Sequence, residues 1–172
     1  RDVGERWQDL GAYLVVRKAD VYQPLLSRHY LYGLLRAGLP EGKALLAAIR
    51  QAAGAEDSSV YTAWHEVGLA LAEALSAHAE RRFEDVLPWL DPVQGRIEHI
   101  GGSHAQRDLF GQLALDAMLR TGADNRAQQI LEMRRLATPD DVPANNALAT
   151  LYASAGLPAL AAEATARGKH II

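Results

Sequence analysis

Three observations in the sequence predict an all-α fold, a superhelical array of about four helical hairpins. Alanine (31) and leucine (25) supply about a third of the 172 residues, whereas valine, isoleucine and threonine together total 20. Alanine and leucine lose little rotamer freedom in a helix, while strands favour β-branched residues. That balance argues against an all-β sandwich or a parallel α/β sheet, whose buried strands read as valine and isoleucine runs. Second, apolar residues recur at helical spacing from end to end, and Gly or Pro interrupts them at short intervals. Third, the punctuation repeats: Gly122 and Gly156, Asp124 and Pro158, and Ala127 and Ala161 are each 34 residues apart. Thirty-four residues is the tetratricopeptide period, and Pro139 falls where that motif closes its second helix.

The elements follow in order. A short first helix turns Trp7, Leu10 and Leu14 inward. The next opens at Asp20, with Gln23 three residues on as a capping box, and closes at Gly38, a residue suited to the left-handed position after a helix. Pro40 fits the first turn of the following helix, which carries Leu45, Ala48, Ile49 and Ala52 on one face and stops at Gly54. Ala55-Glu56-Asp57-Ser58-Ser59 reads as a loop whose serines cap a helix marked by Val60, Trp64, Val67, Leu71, Leu75 and His78. Arg81-Arg82 makes the turn. Phe83, Val86, Leu87 and Leu90 form a return helix that Pro88 should kink. Val93, Ile97 and Ile100 share a face of a short segment ended by Gly101-Gly102.

Ser103 and Gln106 then have capping-box spacing at the head of a helix with Leu109, Phe110, Leu113, Ala114, Ala117 and Met118 inward and Gly122 at its end. Asp124 caps a helix containing Ala127, Ile130, Leu131 and Leu136, and helices over 143–155 and 158–167 complete the chain. The earlier turns, at Gly38 and Arg82, are spaced more widely than 34, so those units carry insertions. Tyr152 stands at a consensus aromatic site of the repeat, with Met118 and Ala77 at its equivalents. One hairpin cannot bury its apolar face alone, so hairpins stack and each shields the next. The expectation is a tetratricopeptide-like single helical-repeat domain over 1–172.

The charge balance, 18 Lys+Arg against 21 Asp+Glu, gives −3. The densest basic spots, Arg81-Arg82 and Arg134-Arg135, sit beside Glu80, Glu84 and Glu132, so no basic face for nucleic acid is expected. Cysteine is absent, which excludes disulfides and thiolate metal sites. No apolar run approaches the roughly 20 residues that span a bilayer. No signal peptide or membrane anchor is evident, so a cytoplasmic protein is expected. The first residue is Arg1 rather than Met, which reads as a fragment of a longer protein.

At Ile100-Gly101-Gly102-Ser103-His104-Ala105-Gln106-Arg107-Asp108 the chain resembles the tetratricopeptide repeat protein 38 family. Supporting matches are Asp2-Val3-Gly4-Glu5-Arg6-Trp7, His29 followed by Ala37-Gly38, and Gly68-Leu69-Ala70-Leu71-Ala72-Glu73-Ala74-Leu75. Where that family usually carries Asn-Asp-x-His, this chain has Leu26-Ser27-Arg28-His29. Family members are longer, so the chain looks like a C-terminal half. The resemblance implies a helical-repeat fold and no established catalytic residues.

Candidate binding residues come from two patterns. Gly101-Gly102-Ser103-His104 leads into a helix start, where free N–H groups attract anions and Arg107 adds charge. The opposing reading is a tight turn with Ser103 as cap and Arg107 paired elsewhere. Asp108, Gln112 and Asp116 recur every four residues, and Asn146 and Thr150 repeat the stripe, placing all five where an array would contact a peptide. The six histidines form no recognisable metal motif: His65-Glu66 has Leu69 where a second ligand belongs, His99 and His104 are separated by Gly-Gly, and His29 and His78 read as packing residues. No cofactor is expected.

The leading expectation is a protein–protein interaction module, with homodimerisation through bare array ends as a variant. The alternative is a hydrolase or small-molecule-binding enzyme with a pocket around His29, His104, Arg107 and Asp108.

Overall fold

Four helix ends in the computed structural model close with one and the same turn. In each, a residue with positive φ follows the helix: Gly38 (71°), Arg81 (63°), Gly122 (74°) and Gly156 (73°). The next amide then donates back five residues, Leu39 to the Leu34 carbonyl (3.1 Å), Arg82 to Ala77 (2.8 Å), Ala123 to Met118 (3.0 Å) and Leu157 to Tyr152 (2.8 Å). This motif satisfies carbonyls that a helix end leaves without partners, and three of its four sites use glycine because a Cβ disfavours positive φ.

Residues 4–55 and 63–169 are described. Among them the chain is all-helical, with no strand: α1 is Arg6–Leu14, α2 Pro24–Arg36, α3 Pro40–Ala53, α4 Leu69–Ala79, α5 Val86–Leu90, α6 His104–Thr121, α7 Asp124–Ala137, α8 Val142–Ser154 and α9 Pro158–Arg167. The proposed Ser58-Ser59 cap and Val60 lie outside the described residues.

Local chemistry redraws several expected boundaries. α2 starts at Pro24 rather than Asp20, because a proline at the first helical position fixes φ and needs no donor. Asp20 instead pairs with Arg17 at 3.2 Å and accepts from the Tyr22 amide. Pro88 lies in the first turn of a short α5, where its missing N–H has no intrahelical role. The segment that buries Val93 and Ile100 is a 3-10 helix, Asp91–Ile100. Asp124 is the first residue of α7, and Ala123 holds the cap position. Leu136 is exposed, and Leu10 is 43% exposed. The helix expected from Val60 to His78 contains a π-helical turn, Trp64–Gly68, which continues as α4. Gly68 permits that turn, since a Cβ there would lie 2.5 Å from Trp64 Cε3.

Two compact units divide the chain, Arg1–Ala117 and Met118–Ile172. In the first, Leu31, Leu34, Leu45, Leu46, Ile49 and Trp64 form a continuous core between α2, α3 and the π turn. α4 is buried at every position from Leu71 to Ala77, so its one acidic residue there needs a partner. Glu73 has it: Arg50 donates through Nε (2.6 Å) and an Nη (2.9 Å), the bidentate geometry guanidinium and carboxylate favour.

In the second unit, Leu131, Leu148, Leu151, Tyr152 and Ala164 are buried where α7, α8 and α9 meet. Asp141 caps α8, accepting from the Ala144 amide at 3.1 Å. Asn145, fully buried, donates to the Pro139 and Asp141 carbonyls (2.8 and 2.9 Å) and accepts from Arg167 Nε (2.9 Å).

Candidate functional site

The chemistry-bearing side chains of the first unit gather on α2, α4 and α6. His78, 11% exposed at its side chain, links the three helices: its Nε2 lies 2.9 Å from Asp116 Oδ2 and its Nδ1 3.2 Å from the Tyr32 hydroxyl. With Asp116 ionised, Nε2 carries the proton and donates to it, so Nδ1 accepts from the Tyr32 O–H. Burial pushes the Tyr32 hydroxyl above its ordinary range, against the opposing pull of Arg36, so the phenol stays protonated at neutral pH. Phe83 meets the His78 ring edge-on at 5.4 Å. Asp116 thus bonds to a residue whose helical pattern reads as a hydrogen-bonded packing position. It is not a freely exposed member of a polar stripe.

Beside this relay α1, α2 and α6 form a half-open cavity of about 390 Å³. α1 contributes Trp7, Leu10 and Leu14, α2 contributes His29, Tyr30, Tyr32 and Gly33, and α6 contributes Leu109. Among the described residues no polar atom faces it. The walls are braced from elsewhere: Trp7 meets Tyr32 edge-on (5.8 Å), and the guanidinium carbons of Arg36 and Arg17 stand 5.2 and 5.6 Å from the centroids of Trp7 and Tyr30. His29 Nδ1 lies 2.7 Å from the Leu25 carbonyl, which fixes the proton on that nitrogen in the neutral ring.

One residue earlier sits the least expected group. Arg28 is 1% exposed, and none of its three guanidinium nitrogens has a hydrogen-bond partner among the described residues. Its guanidinium carbon stands 5.4 Å from the Phe110 ring centroid, a cation–π contact. Burial pushes its pKa down to about 9. Nothing in a single arginine at helical spacing signals burial, since Phe110 is 82 residues away in the chain.

The remaining candidates lie as follows. Gly101 and Gly102 both have positive φ (76° and 80°), and a Cβ on Gly102 would fall 2.5 Å from Leu25 Cδ2, so these glycines serve a tight turn. Ser103 and Gln106 form the reciprocal capping box, Gln106 Oε1 accepting from the Ser103 amide (2.8 Å) and Ser103 Oγ from the Gln106 amide (3.3 Å). Arg107 folds back on the Gly101 and Gly102 carbonyls. Its charge therefore supports the turn rather than standing free for an anion. His104 is exposed, and Gln112 donates to Asp108 at 2.7 Å. His104, Arg107 and Asp108 are not among the cavity residues; of that set only His29 is. Asn146 and Thr150 are both exposed on α8, the Thr150 hydroxyl donating to the Asn146 carbonyl.

Among the described residues no group of three or more His, Cys, Asp or Glu is placed to hold a metal ion, and no helix is long and apolar enough to cross a membrane. No family model matches the chain, and no solved structure matches it.

Proposed function

We propose that the chain is a helical-repeat interaction module, a cytoplasmic relative of the tetratricopeptide repeat protein 38 family in which four hairpins stack as a tetratricopeptide-like superhelix. The observation that carries this reading is the turn used four times, with positive φ at Gly38, Arg81, Gly122 and Gly156. A chain that returns on itself by one device at every second helix behaves as a repeat, and repeats expose a periodic surface. The partner is a protein or peptide, met by exposed polar side chains of first helices: Gln112 of α6, and Asn146 and Thr150 of α8. Affinity capture with the wild-type chain and a Gln112→Ala/Asn146→Ala/Thr150→Ala variant tests it. The variant should lose the partner at least tenfold while its circular dichroism is unchanged; equal recovery removes these residues from the interface.

A second reading, a small-molecule-binding domain, is favoured by the 390 Å³ cavity, a volume within the range of ligand pockets. Its carbon-only lining speaks for binding rather than for hydrolysis.

A further inference from the structure

We infer that the cavity between α1, α2 and α6 is a receptor for an uncharged, ring-bearing apolar molecule. The inference rests on the second reading above and adds the ligand's chemical class. Water gains nothing in such a space, since an apolar cavity offers none of the two to four polar partners that a buried water needs. An engineered apolar void of about 150 Å³ already stays dry and binds benzene. The cavity here, at 390 Å³, holds a fused two-ring system or one ring with a short alkyl branch, on the order of ten non-hydrogen atoms.

Its walls have the marks of a preorganised site. Three of them are the aromatic rings of Trp7, Tyr30 and Tyr32, which match a planar hydrocarbon. Each ring is held by a contact with a group that does not line the space: Arg36 against Trp7, Arg17 against Tyr30 and His78 against Tyr32. The rings therefore cannot readily fold inward to fill the void. Gly33 lets the α1 wall pack close: it lies inside α2, where glycine is a poor helix former, and a Cβ there would fall 2.5 Å from Leu14 Cδ1. Charge is excluded from the ligand because no polar atom faces the space, so an ion entering it would lose its hydration without compensation.

Indole and toluene are the neutral probes, with benzoate and benzylammonium as charged counterparts of similar size, and binding is read by saturation-transfer NMR and by thermal unfolding. The neutral probes should saturate with Kd on the order of 0.1–1 mM and raise Tm as their concentration rises. Leu109→Trp fills the cavity from α6. Leu10→Trp fills it from a half-exposed position and so spares the fold. Each should weaken indole binding at least tenfold while unfolding stays cooperative. Charged probes binding as well as neutral ones overturns the ligand class and leaves a small-molecule site standing. No saturable binding of any probe, or neutral binding indifferent to both substitutions, overturns the site altogether.

Discussion

Arg28 and Asn145 occupy comparable situations in the two units, each a polar side chain buried on the first helix of a hairpin, and they are treated in opposite ways. Asn145 has both amide protons donated to backbone carbonyls and its oxygen accepting from Arg167. Among the described residues Arg28 has only the face of Phe110. Asn145 ties the loop before α8 to the end of α9, and the loop geometry depends on it. Arg28 organises no backbone, and its desolvation is offset by one ring contact. A buried polar group is thus structural when its partners are fixed carbonyls and a liability when they are missing.

Asn145→Ala is the harshest way to break this contrast. It takes a side-chain donor from the Pro139 and Asp141 carbonyls and the acceptor from Arg167 Nε, and urea denaturation should show a loss of about 3 kcal/mol. Arg28→Met should do the reverse, raising stability by about 2 kcal/mol, because an apolar side chain of similar length needs no counter-charge. A destabilised Arg28→Met protein would mean that the cation is compensated after all.

The same comparison has a pH dimension. Burial lowers the Arg28 pKa from the ordinary arginine range, which the unfolded chain keeps, to about 9 when folded. Below about 9 both states hold the proton and the burial cost is fully present. From about 9 up to the ordinary arginine range the unfolded chain holds more protons, so stability rises with pH. The advantage of Arg28→Met over wild type should therefore shrink between pH 8 and 10.5, measured as the difference in urea midpoints. The smallest effect is expected at the capping box: Ser103→Ala removes one N-terminal acceptor and should cost about 1 kcal/mol by the same assay.

The hairpin punctuation was legible because glycine at a helix end has a backbone reason to be there. Gly38, Gly122 and Gly156 take the positive φ their positions imply, and the Arg81-Arg82 turn takes it at Arg81. The Ser103/Gln106 cap was legible for the same local reason. Where two local signals competed, the stiffer one prevailed, as Pro24 did over the Asp20/Gln23 spacing. Long-range facts were not legible. Asn145 and Asn146 are adjacent and identical in type, and spacing selected Asn146, whereas the loop carbonyls select Asn145. Nothing near His78 announces that Tyr32 and Asp116 will meet its two nitrogens, 46 and 38 residues away. The π turn at Trp64 likewise has no periodic signature, since it inserts a residue into a pattern that still reads as helical.

That turn also aims the Trp64 indole at the Val21 carbonyl, to which it donates at 2.9 Å across 43 residues of chain. Of the three tryptophans, Trp64 is wholly enclosed and Trp89 is 41% exposed. The Trp64 emission should therefore lie to the blue of that of Trp89, and closing so long a circuit is a late event in assembly. The chain thereby carries its own optical clock: in a stopped-flow refolding trace, the blue component should mature after the helical signal.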